Sequence, residues 1–241
     1  MEGIELYNAD CFEILNKFSN IDLIVTDPPY SFRADKIKEG SGGTLNDIKG
    51  FDRSILSLND KNLINSYDIK KFGEIVCQLQ PEINIYLWCN KAQIPEYFDF
   101  YIDRCSCKFD IICWHKINAL PSYANKYLTD TEYLLYFHNG KGKCFPKTYN
   151  DAMTYYVAPI NHKDKKSYDH PTIKPLELTM RVIRNSSKEG NTVLDPFMGS
   201  GTTGVACKKL NRKFIGIELA EDYFKMAQNR IENEYLKKGL F

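Results

Sequence analysis

Short apolar runs alternate with amphipathic stretches along most of the chain. Ile4–Tyr7 and Asp22–Thr26 are compact and apolar, as buried strands are, and Cys11–Phe18 between them has the spacing of an amphipathic helix. Lys61–Leu79 predicts a helix that Pro81 stops. Ile83–Trp88 predicts a strand and Ile94–Cys105 a helix. Phe109–Trp114 and Glu132–Phe137 predict two strands with no helix between them, hence an antiparallel hairpin at one edge of a sheet. A helix from Pro175 to about Ser187 follows, then strand Thr192–Leu194, helix Gly201–Leu210, strand Phe214–Ile217 and helix Glu221–Leu236. Strands that alternate with helices predict an α/β fold, doubly wound, with a mostly parallel sheet covered on both faces. The pattern reads as a single domain over residues 1–241. Three polar stretches interrupt it, at 31–61, 116–131 and 138–169. The first carries Gly40, Gly42 and Gly43 and reads as a long mobile loop; the last reads as irregular and is rich in lysine and tyrosine.

Composition narrows this picture modestly. With 43% hydrophobic residues in 241, the chain can bury a core of its own. No run approaches the ~18–20 apolar residues of a membrane helix, and the first ten residues lack a basic-then-apolar leader pattern. The expectation is a cytoplasmic protein without a membrane, nucleoid-associated if bacterial. Net charge is +1, so any basic footprint for nucleic acid must be local. The eight cysteines include no Cys-x-x-Cys pair, and the Cys105, Cys107, Cys113 group has no histidine pair at ligand spacing. Buried thiols and no metal are expected.

Two segments carry chemistry. Val193-Leu-Asp-Pro-Phe-Met-Gly-Ser-Gly-Thr-Thr203 is a strand, a glycine turn and a helix start. Gly199 and Gly201 let backbone approach a ligand, and the helix N-terminus offers unpaired N–H groups. Glu218 closes the next strand about twenty residues after Asp195, the spacing of an acid that grips ribose hydroxyls. A Gly-x-Gly alone is most simply a tight turn; with that acid, a nucleoside-bearing ligand is the better reading. The phosphate-loop pattern with its lysine is absent.

The second segment is Asp22-Leu-Ile-Val-Thr-Asp-Pro-Pro-Tyr30, an apolar strand ending in a stiff turn. Ligands of open α/β sheets bind at such carboxyl ends. An arylamine nitrogen is a poor nucleophile because its lone pair is delocalised. The Asp27 carboxylate and the Pro28 carbonyl can accept its two hydrogens, Pro29 stiffens the turn, and Tyr30 can stack on the ring. Taken singly, each residue fits an ordinary turn; together with the glycine turn they point to group transfer onto an amino group.

These motifs resemble those of the amino-group DNA methyltransferases, which modify adenine N6 or cytosine N4. Asp27–Tyr30 looks like their catalytic motif and Asp195–Thr203 like their methionine-binding motif, in the order of the family's β group, a circular permutation of the usual methyltransferase order. His170-Pro-Thr-Ile-Lys-Pro175 resembles the segment that closes over the methionine end of the cofactor. Asn8-Ala-Asp-Cys11 resembles the turn that holds its adenine. The resemblance implies S-adenosyl-L-methionine as methyl donor on a Rossmann-like, circularly permuted sheet of seven strands with one antiparallel edge strand. It implies double-stranded DNA as partner, with the target base flipped into a pocket between Asp27–Tyr30 and Phe197. It assigns catalysis to Asp27, Pro28, Pro29 and Tyr30. It assigns cofactor binding to Asp10, Cys11, Asp27, His170, Thr172, Lys174, Asp195, Phe197, Gly199, Ser200, Gly201, Thr202, Thr203, Glu218 and Leu219.

Aspartate in the first position of the tetrapeptide is commoner in the adenine N6 members, which favours a site-specific adenine N6 methyltransferase of a restriction-modification kind over a cytosine N4 enzyme. An RNA methyltransferase, a small-molecule methyltransferase with 138–169 as its lid and a catalytically idle nucleic-acid-binding protein rank below these, the last because both motifs are intact. DNA contacts are expected from Lys116, Asn118, Tyr123, Lys163 and Lys165 within the polar stretches. Their short length leaves a homodimer or a partner subunit open. His115 is expected to be structural.

Overall fold

The computed structural model describes residues 3–29, 67–119, 127–141, 143–160 and 173–238, with side chains as far as Asn233. The stretch 31–61 and the expected site residues Tyr30, Tyr123, Lys163, Lys165, His170 and Thr172 lie outside the described residues.

Among the described residues eight strands form one sheet: β1 Ile4–Asn8, β2 Leu23–Thr26, β3 Asn84–Cys89, β4 Lys108–Lys116, β5 Thr131–His138, β6 Tyr155–Ala158, β7 Thr192–Asp195 and β8 Lys213–Glu218, in the order β1-β8-β7-β2-β3-β5-β4-β6. β2 and β3 are buried along their whole length, as a central parallel sheet requires. Alternate residues of β3 face opposite layers. Ile85, Leu87 and Cys89 join a core with α1 (Cys11–Ile14), α2 (Ile69–Leu79) and α3 (Ile94–Phe98). Tyr86 and Trp88 join the other core, with α5 (Leu176–Ser186), α6 (Thr202–Lys209) and α7 (Glu221–Lys238). A short α4 (Tyr149–Ala152) lies in the segment before β6.

The helix boundaries follow local chemistry. Asp10 caps α1, its carboxylate accepting from Phe12 N at 2.9 Å. Asp68 caps α2 by accepting from Lys70 N and Lys71 N, and Pro81 follows its end. The stretch expected as one helix over 94–105 is α3 followed by a wider π-type turn, Asp99–Arg104.

The α/β, doubly wound class holds, but two finer expectations do not. Among the described residues there are eight strands rather than seven, because the stretch read as irregular contributes β6. The single antiparallel strand is internal: β5 pairs antiparallel with both β3 and β4, and β6 lies parallel to β4 outside them. β6 escaped notice because it has four residues and exposes Tyr155 and Val157. Trp114 Nε1, donating to the Ala158 carbonyl at 3.1 Å, holds it in place.

The winding reverses between β7 and β2. From β7 the chain steps through α6 to β8, and β1 lies beyond; from β2 it steps the other way to β3. β1 pairs parallel with β8 and α7 packs against β1, so β8–α7–β1 reads as an uninterrupted unit despite the permuted order. The crevice at this switch point is where open α/β sheets bind ligands.

Helix α7 lies unusually close to α6. A Cβ on Gly204 would sit 2.4 Å from Ile231 Cδ1 and 2.7 Å from the Phe214 ring. Gly204→Ala should therefore cost roughly 1–3 kcal/mol through overpacking. Ile231→Val, which removes the obstructing Cδ1, should recover part of it. Thermal melting of the two single variants and the double variant checks this; additive losses would show that the approach is not the constraint.

Candidate active site

Side by side at the switch point, β2 and β7 end in the two motif loops. Leu23 and Ile24 pair with Val193 and Leu194, and Thr26 Oγ1 donates to Asp195 Oδ1 at 2.6 Å. Asp195 also accepts from Phe197 N at 3.2 Å, which sets the turn. Its carboxyl is almost fully buried. Burial pushes it up to about 7, against the donated bonds from Thr26, Thr203 and Phe197 and with the Asp27 charge adding to the rise.

The glycine turn is held from three sides. Gly199 and Gly201 have φ of +49° and +74°, open to glycine without strain. Gly199 N donates to Glu218 Oε2 and Ala220 N to Oε1, each at 2.9 Å. Burial raises the Glu218 carboxyl above its ordinary range, with these amides opposing. The buried Arg230 of α7 donates to the Ser200 carbonyl at 2.8 Å and to Thr202 Oγ1 at 2.9 Å. A Cβ on Gly201 would meet Ala227 at 3.0 Å, so this glycine serves helix packing, and Gly199 is the one beside the strand-end acid.

Asn8 at the end of β1 donates from Nδ2 to the Glu218 carbonyl at 2.8 Å and to the Leu219 carbonyl at 3.0 Å. Asp10 and Cys11 are thereby brought near Glu218. Cys11 is buried, and its thiol is pushed up to about 12 by burial first and then by the Asp10 and Glu218 charges. Phe197 meets Tyr67 edge-on with centroids at 5.3 Å and Phe72 at 5.6 Å. Leu219 is exposed.

On the other side of the crevice, Gln93 Nε2 donates to the Pro29 carbonyl at 3.3 Å and fixes the proline turn. Asp27 Oδ2 lies 2.9 Å from Lys174 Nζ. That lysine, expected at the methionine end of a cofactor, also reaches Glu132 Oε2 at 2.8 Å and lies over the Trp88 ring at 5.0 Å. Glu132 in turn is paired with Lys116. Burial raises the Glu132 carboxyl, but the two lysines outweigh it and hold it at about 2.

The two described residues expected to touch DNA are therefore engaged internally. Lys116 is largely buried on Glu132, beside the Trp114 ring. Asn118 accepts from Ile160 N at 2.6 Å and donates to the Ile160 carbonyl at 3.3 Å, clamping the chain after β6. His115 lies 3.6 Å from Asp130, near the surface. Among the described residues no three His, Cys, Asp or Glu side chains gather as a metal site.

Glu132, Gln93, Arg230 and Thr26 escaped the sequence reading. Glu132 offered one signal, an acid opening an otherwise apolar strand. Linking it to Lys116 requires the β4–β5 register, in which Trp114 faces Glu132 and Lys116 is the diagonal neighbour.

The buried Asp195 has a measurable consequence. Its folded pKa lies above that of the unfolded chain, so between about pH 4 and 7 the native state holds the extra proton. Its contribution to stability is fully present below pH 4 and is lost as pH rises through 7. Asp195→Asn should remove that slope. In urea unfolding, the stability of the variant relative to the parent should improve from pH 5 to pH 8; a constant difference would mean that Asp195 titrates normally.

A family model described as DNA methylase, for enzymes of the N6 and N4 type, matches residues 21–229. The type II methyltransferase M2.DpnII of Streptococcus pneumoniae is 31% identical over 95% of this chain and 90% of its own length. M2.LlaDCHI of Lactococcus lactis subsp. cremoris is 32% identical, with the same coverage of both. The crystal structure of M1.HpyAVI with S-adenosylmethionine superposes with a TM-score of 0.68 at 31% identity, covering 95% of this chain and 98% of that one. The chain belongs to the N6/N4 DNA methylase family.

Proposed function

We propose that this DNA methylase transfers the methyl group of S-adenosylmethionine to N6 of adenine at a specific site in double-stranded DNA, with the base turned out of the duplex. The observation that carries the reading is the placement of the Asp27 carboxylate. It sits at the carboxyl end of β2, across the switch point from the Gly199 turn and Glu218, with its Oδ2 held by Lys174.

The residues fit the cofactor. Glu218 is a buried carboxylate beside a glycine of positive φ, able to accept from a ribose diol, and the Asp10–Cys11 turn and Leu219 near it would grip the adenine. Asp195, Phe197 and the Ser200–Thr203 turn would border the methionine part. When bound, the cofactor supplies an electrophilic methyl on a sulfonium.

The chain's own task is to make a poor nucleophile attack. Asp27 and the Pro28 carbonyl accept the two amino hydrogens, which favours a tetrahedral nitrogen and aims its lone pair. Gln93 keeps the proline turn in place by its bond to Pro29. The alkylated nitrogen is strongly acidic and gives its proton to water, so no dedicated base is needed. The choice of adenine rests on Asp27 in the first position of the tetrapeptide. Tyr30, His170 and Thr172 keep the roles implied by the resemblance, and Tyr123, Lys163 and Lys165 remain the candidates for DNA contact.

Incubation with methyl-labelled cofactor and unmethylated genomic DNA, followed by digestion to nucleosides, should yield labelled N6-methyladenine deoxynucleoside. Label on N4 of cytosine would overturn the base, and label in RNA alone would overturn the polymer. Asp27→Ala should lower transfer on the order of 10³-fold or more while cofactor affinity stays within about threefold. Transfer near the parental rate would sink the assignment of Asp27.

A further inference from the structure

Asp27, Lys174, Glu132 and Lys116 form one continuous chain of alternating charge running from the crevice into the β4–β5 pair. Lys174 Nζ stands 2.9 Å from Asp27 Oδ2 and 2.8 Å from Glu132 Oε2, and the Lys116 ammonium closes the far side of Glu132. The side chains of Lys174, Glu132 and Lys116 are 7%, 18% and 13% exposed, while that of Asp27, at 26%, is the most exposed of the four. Trp88 lies against the first ammonium and Trp114 against the second, and the two indoles meet edge-on with centroids at 6.3 Å.

Burying such a chain costs desolvation, and well-packed apolar residues of similar volume are often at least as stabilising. Stability alone is a weak reason for Glu132. Position is a better one. An ammonium has three donors on a flexible stem and, given a single carboxylate, turns wholly toward it. A second carboxylate on the opposite side divides its donors and its charge.

We propose that Glu132 is a positioning residue for the methyl-transfer step: by sharing the Lys174 ammonium with Asp27, it fixes where that ammonium donates and leaves Asp27 a charged acceptor for the amino group. The inference rests on Asp27 as the acceptor and extends that reading to the group standing behind it. Glu132 itself stays ionised, since its two lysines outweigh burial. Among the described residues the charged or titratable groups that act on Asp27 include Lys174 before α5, Glu132 of β5 and Lys116 of β4 behind that lysine, Cys89 of β3, Tyr97 of α3 and Asp195 of β7.

The test is steady-state kinetics of the full chain across pH for Glu132→Gln, Glu132→Asp and the charge-balanced double variant Lys116→Met with Glu132→Gln. Both Gln variants should lose about 10- to 100-fold in kcat, with KM for S-adenosylmethionine within about threefold. The acidic limb of kcat/KM should move to lower pH, because Lys174 then places its whole charge on Asp27. Glu132→Asp should keep the parental limb and recover part of kcat. Near-UV circular dichroism and cofactor affinity report on folding. An unmoved limb in a folded Gln variant overturns the proposal, whatever happens to kcat. If neither Gln variant folds, Glu132→Asp decides: a kcat at least about threefold below the parent at unchanged cofactor KM is expected, and a parental kcat overturns the proposal. Asp27→Ala separates the two readings. If it is inactive while Glu132→Gln behaves as the parent, only the role of Glu132 fails; if it turns over, the reading of Asp27 fails first.

Discussion

The parallel seam between β2 and β7 is the constraint on which the rest of the site depends. It joins two strands that are distant in the chain, sealed by the buried bond from Thr26 to Asp195 across a separation of 169 residues. Because both strands stop at the same level, the proline turn after β2 and the glycine turn after β7 open into one crevice. Each later element adds support to this seam. α6 grows from the glycine turn, α5 packs against α6, and the residue just before the lead into α5, Lys174, reaches back to Asp27. Rigid strands and helix starts, rather than free loops, thus hold the described groups of the site, as a reaction sensitive to ångström displacement requires.

Around this seam the protein buries several carboxylates and treats them differently. Glu132 lies between two ammonium groups and is held at about 2. Asp195 has two hydroxyls and an amide but no ammonium at hand, with burial dominant, and rises to about 7. Glu218 is gripped by backbone N–H groups and lies above the ordinary carboxylate range. Similar functional groups within one crevice are thereby driven apart in proton affinity by their surroundings alone. The strongly ionised one stands behind the proline turn, and the easily protonated one holds the turns together.

Local pattern carried much of this into the sequence. The apolar runs of β2, β3, β7 and β8, the proline stop after α2 and the Gly199–Gly201 turn are all legible because each rests on neighbours a few residues away. The motif order and the strand-end Glu218 were legible for the same reason. What was hidden depends on pairing at a distance. Glu132 gains meaning only when β5 is laid between β3 and β4, and Lys116 reads as a surface cation until that register places it beside the acid. β6 is too short and too exposed to announce itself, and Asn118 became interpretable only with Ile160 against it. Arg230 looks like an ordinary helix cation until α7 is packed on the glycine turn.

The place of β1 has a consequence for synthesis. In the finished sheet β7 and β8 lie between β1 and β2, although β1 and β2 leave the ribosome first and β7 and β8 nearly last. Until the final segment emerges, β1 and β2 have no strand between them to join them. The inner edge of β2 is bare, and β1 lacks the one strand it pairs with among those described. Edges of this kind invite pairing with the wrong chain. Closure needs the last βαβ unit between β1 and β2, and that same unit carries the glycine turn and Glu218. An incomplete chain therefore lacks the seam itself, and the crevice arrives together with the last piece of the fold.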